Sequence, residues 1–115
     1  MNVLFAGIAV ADYHAALPWY ECLFGRAPDM LPHETEAAWQ VTELGWIYLV
    51  GDSQRAGKAL LTLMVTDLAH VVAELEERGL APAEIETAPG LYRKATFTDP
   101  EGNTISFGEA LGGES

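Results

Sequence analysis

Basic residues, cysteine and long apolar runs are all scarce in this chain, and each scarcity excludes a class of function. Only 6 of 115 residues are Lys or Arg, against 17 Asp or Glu, so the formal net charge is −11. Such a charge repels a phosphate backbone, and we expect no nucleic-acid partner. The single cysteine, Cys22, excludes an internal disulfide. No segment approaches the roughly 20 apolar residues that span a bilayer, and no signal pattern opens the chain, so we expect a cytoplasmic protein without a membrane partner.

An internal repeat organises the chain. Val10-Ala11-Asp12 precedes an apolar helix pattern that closes at Gly25, and Val65-Thr66-Asp67 precedes another that closes at Gly79, so the capping aspartates stand 55 residues apart. The length and the 50% hydrophobic content suit a single domain with one shared core. The repeat therefore predicts one duplicated module.

Alternation and turn residues predict the order βαβββ in both halves. The segment 27–36 contains two prolines and is expected to be an irregular edge. We expect a first module over residues 1–52, a polar linker over 53–58 and a second module over 59–110. The predicted strands are 3–10, 37–43, 46–50, 59–65, 82–87, 91–98 and 101–109.

This arrangement resembles the vicinal oxygen chelate superfamily, which includes glyoxalase I, extradiol dioxygenases and the bleomycin resistance proteins. Three motifs carry the resemblance: Val10-Ala11-Asp12 through Trp19-Tyr20 to Leu23-Phe24-Gly25, Val65-Thr66-Asp67-Leu68, and Phe97-Thr98-Asp99-Pro100-Glu101-Gly102-Asn103. The resemblance implies an α+β fold in which the two modules form a partly open, eight-stranded, barrel-like sheet with the helices outside. It also implies a homodimer, with the modules swapped or unswapped between chains.

The resemblance further implies metal ligands on the first and last strand of each module. These positions fall on Phe5, Leu60 and Ser106, and on Leu49 when the halves are aligned at Gly45 and Gly102; a one-residue slip substitutes Tyr48. A divalent cation needs imidazole, carboxylate, amide or thiolate ligands, and this set offers hydroxyls at most. We expect no metal, no cofactor and no catalytic set.

Strand alternation predicts the lining of a cavity. Leu60, Thr62, Met64, Thr104 and Ser106 are expected to face inward in the second module. In the first, the residues expected to face inward are Phe5, Gly7, Ala9, Ile47 and Leu49. A mostly apolar lining with a few hydroxyls suits a flat organic ligand.

Aromatic and acidic residues complete the predicted site. Trp39 is expected at the cavity rim, where its indole offers a stacking face. If the ligand is cationic, Glu43, Asp52 and Glu109 are possible counter-charges, with Asp52 and Glu109 at equivalent repeat positions. The predicted ligand-binding residues are Phe5, Trp39, Leu49, Leu60, Thr62, Met64, Ser106 and Glu109.

The sequence thus favours a non-metal small-molecule binding protein of the bleomycin-resistance type, which sequesters an aromatic or cationic compound such as an antibiotic. The alternative is a metal-dependent lyase or dioxygenase of the same superfamily with a non-standard site. A third hypothesis is a regulatory or structural protein whose pocket is occluded by Phe5 and Leu60.

Overall fold

The computed structural model describes residues 2–112 and shows the βαβββ order twice. The first module consists of β1 (Leu4–Val10), α1 (Tyr13–Phe24), β2 (Met30–His33), β3 (Glu36–Thr42) and β4 (Gly45–Gly51). The second consists of β5 (Leu60–Met64), α2 (Leu68–Glu77), β6 (Glu84–Ala88), β7 (Tyr92–Thr98) and β8 (Thr104–Ala110). The predicted α+β class and the duplicated module are confirmed.

Each module forms its own four-stranded sheet. The strand orders are β1-β4-β3-β2 and β5-β8-β7-β6, in which β1 pairs parallel with β4 and β5 parallel with β8. The barrel-like arrangement is therefore open and divided into two sheets. Residues 30–33, inside the segment expected to be irregular, form the short exposed strand β2, and its pairing with β3 shifts register.

The two helices begin in the same way. The Asp12 side chain accepts a hydrogen bond from the Ala15 amide, and the Asp67 side chain accepts one from the His70 amide, both at 3.1 Å. These bonds satisfy amides that have no acceptor within the first helical turn. Gly25 ends α1 in the left-handed conformation, at φ 77°. Neither helix within residues 2–112 has the length and apolar content needed to cross a bilayer.

The helices cover one face of the sheets and bury a core that is continuous between the modules. The first module contributes the fully buried residues Trp39, Tyr20 and Leu49 to this core. The second module contributes Leu75, which is also fully buried, and Phe97, which is 1% exposed. Among residues 2–112, no helix lies on the opposite face of either sheet. Several side chains on that face, among them Phe5, Leu60 and Met64, are exposed.

A buried polar network joins the modules. The Tyr20 hydroxyl donates to Asp99 Oδ2 at 2.6 Å, and Asn103 Nδ2 donates both to the same oxygen at 2.9 Å and to the Ala9 carbonyl at 3.1 Å. Asn103 Oδ1 accepts from the Ala59 amide at 2.8 Å. Burial, and then the hydrogen bond to Asp99, raises the pKa of Tyr20. The turn between β7 and β8 therefore holds the first module, β5 and β8 together.

Candidate functional site

The uncovered face of the first sheet carries a row of three aromatic side chains. Phe5 and Trp46 are register partners in the parallel pair β1–β4, and their rings stack with centroids 5.6 Å apart and planes 17° apart. The Tyr48 ring lies 6.5 Å from the Phe5 ring at 57°. Phe5 contacts both of these rings, yet 48% of its surface remains exposed. The row therefore presents ring surface outward on a rigid sheet.

A cavity of about 390 Å³ lies between this aromatic row and the start of the second module. Its sheet wall consists of Gly7, Ala9, Tyr48 and Val50, and the segment after β4 closes the other side. The Tyr48 ring lies flat against Gly7: a Cβ placed there would stand 2.6 Å from Cζ and from the hydroxyl oxygen. Glycine is required at this point for the tyrosine ring to form the cavity wall. The full lining is Gly7, Ala9, Tyr48, Val50, Asp52, Arg55, Lys58 and Ala59.

Three charged side chains line the same cavity. Arg55 Nη1 lies 2.8 Å from Asp52 Oδ2, while Asp52 Oδ1 accepts a hydrogen bond from the Gln54 amide at 3.1 Å. The hydrogen bond from Arg55 holds the pKa of the Asp52 carboxyl below its usual value. Lys58 has no carboxylate within ion-pair distance among residues 2–112. The cavity therefore has one carboxylate, which is paired, and two cations.

The uncovered face of the second sheet is mixed instead: aliphatic and hydroxyl side chains of β5 and β8 lie beside Tyr92 and Lys94 of β7. A cavity of about 300 Å³ is lined by Thr62, Met64, Tyr92, Lys94 and Gly108. Lys94 Nζ lies 3.8 Å from Glu86 Oε1 and 5.7 Å from the centre of the Tyr92 ring. This cavity thus presents a lysine that already has an anionic and an aromatic neighbour.

Five of the eight predicted ligand-binding residues lie on the uncovered faces. Leu60, Thr62 and Met64 point to the same side of β5, and Thr62 is the register partner of Ser106 on β8. Leu60 is 81% exposed and Met64 61%, whereas the Ser106 side chain is buried and its Oγ lies 2.8 Å from Thr96 Oγ1. Phe5 lies on the other sheet. The predicted set is therefore divided between two surfaces.

Leu49 and Trp39 lie where the sequence analysis did not expect them. Leu49 pairs with Ile8 and faces the helix, so its predicted place in the cavity is wrong, as is that of Ile47, which pairs with Ala6. The error is one of parity, because aligning Gly45 with Gly102 displaces β4 by one residue from the pairing that the two sheets show. Trp39 is not at a rim: its ring is fully buried against Phe24, and Nε1 donates to the Arg26 carbonyl at 3.0 Å. Trp39 is therefore a core residue that no ligand can reach from the sheet surface.

Glu109 also lies outside the cavities. It lies on the same side of β8 as Phe107, the helix side, and its Oε1 accepts a hydrogen bond from the Leu68 amide at the start of α2, at 2.7 Å. Its predicted place as a counter-charge beside a ligand is therefore wrong. The strand register also aligns Glu109 with Gly51 rather than with Asp52, so the predicted equivalence of the two acidic residues is wrong too.

The register decides which residues occupy the superfamily's metal positions. Phe5 pairs with Trp46 and Leu60 with Thr104, so Tyr48 rather than Leu49 is the equivalent of Ser106. The four positions then hold two hydrocarbon side chains and two hydroxyls, one of which already bonds Thr96. This donor set does not fit a divalent cation. Residues 2–112 also contain no group of three His, Cys, Asp or Glu side chains that could hold one.

Trp46, Arg55 and Lys58 line or flank the first cavity but were not among the predicted site residues. Alternation could not place Trp46 and Tyr48 beside Phe5, since both faces of β4 are apolar or aromatic. No sequence pattern points to Arg55 or Lys58, since charged residues in a polar linker ordinarily lie in solvent.

No family model and no curated protein matches the chain. A solved glyoxalase/bleomycin resistance protein from Catenulispora acidiphila DSM 44928 is 46% identical, with a TM-score of 0.91 over 96% of this chain and 99% of that one. TnmS3, an antibiotic binding protein from Streptomyces sp. CB03234, is 25% identical over 96% of both chains, with a TM-score of 0.73. A lactoylglutathione lyase from Agrobacterium tumefaciens, 17% identical over 94% of this chain and 92% of that one with a TM-score of 0.71, shares the fold.

Proposed function

Because the chain belongs to the glyoxalase/bleomycin resistance protein family, within the vicinal oxygen chelate superfamily, we propose that it sequesters a planar aromatic compound such as an antibiotic. The observation that carries the proposal is the row of Phe5, Trp46 and Tyr48 beside a cavity of about 390 Å³. Binding alone suffices for this function, and no step needs a metal ion. The likeness to TnmS3, an antibiotic binding protein, supports the class of ligand.

The aromatic row favours a flat ligand for energetic reasons. Stacked or tilted aromatic pairs contribute about 0.5 to 1.5 kcal/mol beyond the area that they bury. The rings here stand on neighbouring strands, and Gly7 seats the Tyr48 ring, so little side-chain freedom is lost when a ligand binds. The cavity volume also falls within the ordinary range for small-molecule sites, about 300 to 1,000 Å³.

A cationic ligand is less well supported than an aromatic one. Of the predicted counter-charges, Asp52 is already paired with Arg55, and Glu109 accepts from the amide of Leu68. The third, Glu43, lies in the exposed turn between β3 and β4 and lines neither of the cavities described above. Within the part of the chain that the structure describes, residues 2–112, no set of side chains supports the metal-dependent alternative.

A thermal-shift panel of planar aromatic compounds, run with and without a chelator, tests the proposal. We expect at least one compound to raise the melting temperature, and a chelator to leave the shift unchanged. Tyr48→Ala should lower the affinity for that compound about tenfold. Leu91→Ala, which truncates an exposed apolar residue outside the cavities, is the matched control. The proposal is wrong if no compound raises the melting temperature at a concentration of about 100 μM. A shift that disappears when the chelator is added would favour the metal-dependent alternative.

We also propose that two copies of the chain pair over the uncovered faces. Phe5 is 48% exposed, Met64 61% and Leu60 81%, which is unusual for apolar side chains on regular strands. Light scattering should return twice the 12.4 kDa chain mass at micromolar concentration. Leu60→Glu should shift the mass toward one chain, whereas Ala73→Glu on the exposed side of α2 should not. A single-chain mass for the unaltered protein would contradict pairing.

A cytoplasmic location stays a prediction from the sequence.

A further inference from the structure

Lys58 is held in place by the backbone on both of its sides. The Gly57 amide donates to the Ala9 carbonyl at 3.3 Å, and the Ala59 amide donates to Asn103 Oδ1 at 2.8 Å. Gly57 also passes close to the second module, since a Cβ there would stand 2.6 Å from the Glu101 carbonyl oxygen. The lysine therefore starts from a fixed backbone at the cavity wall, although its side chain is exposed.

Charge distinguishes Lys58 from the other cation of the cavity. The Arg55 guanidinium is compensated by Asp52 at 2.8 Å, so the ammonium group of Lys58 is the uncompensated charge among the residues that line the cavity. This local excess of positive charge occurs in a chain with a formal net charge of −11. A neutral or cationic ligand would leave it without a partner.

We propose that the ligand of this cavity is an aromatic acid, whose carboxylate or phenolate is bound by Lys58 while its ring lies against Tyr48. The inference rests on the proposed aromatic binding and adds the charge of the ligand to it. Lysine suits this role as a compact cation with three donors on a flexible stem. Small neighbours, Gly7, Ala9 and Ala59, leave room for a flat ring between the lysine and the tyrosine.

Three ligands of one shape and different charge test the inference: naphthalene-2-carboxylate, its uncharged carboxamide and the cationic 2-naphthylmethylammonium ion. Their affinities are measured by titration calorimetry near neutral pH and low salt. We expect the carboxylate to bind about tenfold more tightly than the amide, and the cation to bind most weakly. Lys58→Gln should reduce the preference for the carboxylate over the amide to about twofold or less, and Lys58→Arg should retain most of it.

Lys94→Gln is the matched control, because Lys94 lies on the other uncovered face and is already close to Glu86. It should leave the preference unchanged. If all three ligands bind with equal affinity, or if Lys58→Gln keeps the preference, the inference is overturned while the proposed aromatic binding stands. If none of the three binds and the aromatic panel above also raises no melting temperature, both are overturned.

Discussion

In the first module the uncovered sheet face carries Phe5, Trp46 and Tyr48, whereas the equivalent positions of the second carry Leu60, Thr104 and Ser106. The helix-facing positions differ far less: Ile47 and Leu49 of β4 correspond to Ile105 and Phe107 of β8 in the register, and all four are buried. Packing against a helix constrains one face of each strand, while the other face is free to diverge. The duplicated fold therefore leaves room for a binding surface in one module alone.

The polar contacts of the two modules are also unequal. Tyr20 of α1 donates to the buried Asp99, whereas the corresponding residue of α2, Leu75, is apolar and fully buried. Glu101 of the second module accepts from the Ala11 amide at 2.6 Å and the Asp12 amide at 3.0 Å, just ahead of α1. The turn between β7 and β8 therefore bonds both modules. The short turn between β3 and β4 bonds within the first module, where the Leu44 carbonyl accepts from the Leu4 amide at 2.8 Å.

Asp99→Ala is expected to have the largest effect. It leaves the Tyr20 hydroxyl and the amides of Glu101 and Asn103 without their acceptor, and we expect the free energy of unfolding to fall by about 3 kcal/mol. The counterpart Glu43→Ala, in the exposed turn of the first module, should cost less than about 0.5 kcal/mol. Urea unfolding measures both. Equal losses would mean that the two turns are equivalent after all.

Tyr20→Phe should lower the free energy of unfolding by about 1 to 2 kcal/mol at neutral pH, because the partner oxygen of Asp99 loses a donor. It should also change the pH dependence. Above about pH 10 the unfolded tyrosine releases its proton, while native Tyr20, whose pKa is raised, retains it, so the native protein loses stability as pH rises.

Urea unfolding between about pH 8 and about pH 11 measures this slope. Tyr20→Phe should make it shallower but not abolish it, since burial also raises the pKa of Tyr13. Leu75→Met, at the corresponding position of α2, should leave the slope unchanged. A slope unaffected by Tyr20→Phe would show that other groups cause the alkaline loss.

Gly7→Ala tests whether the Tyr48 ring forms the binding wall. The added methyl group meets Cζ and the hydroxyl of Tyr48, so the ring must move, and we expect the affinity for an aromatic ligand to fall about tenfold. In the second module Gly108 faces Met64 Sδ in a similar way, 2.9 Å from a Cβ placed there. Gly108→Ala should change the affinity less than about twofold, because a thioether adapts easily. Calorimetric titration measures the affinity of both variants for the ligand. Equal losses of affinity would contradict a binding site on the first sheet.

The helix caps are expected to show the smallest difference between the modules. Asp12→Ala and Asp67→Ala each remove one bond of 3.1 Å to an amide of the first turn, and each should cost about 1 kcal/mol of unfolding free energy. Thermal unfolding in parallel should place the two variants within about 0.5 kcal/mol of each other. A much larger loss for Asp12→Ala would show that the hydrogen bonds that the Ala11 and Asp12 amides donate to Glu101 depend on the geometry of that cap.

Local patterns were sufficient for most of the fold. The aspartate caps, the glycine ends of the helices and the turn at Asp99 depend on backbone chemistry within a few residues, and they predicted both modules. The side of β5 that carries Leu60, Thr62 and Met64 was also predicted, because Leu60 is fixed by its distance from Val65-Thr66-Asp67, as Phe5 is from Val10-Ala11-Asp12. Alternation does not distinguish the two faces of β4, because Trp46, Ile47, Tyr48 and Leu49 are all apolar or aromatic.

The sequence by itself determined the duplicated βαβββ architecture and the lack of metal ligands at the superfamily's positions, because both follow from residue types at set spacings. Only the tertiary structure decided that Trp39 and Leu49 belong to the core, that Tyr48 lies over Gly7, and that Lys58 lines a cavity. Strand register and the packing of one module against the other made those decisions. Both depend on contacts between residues far apart in the chain, which no local pattern encodes.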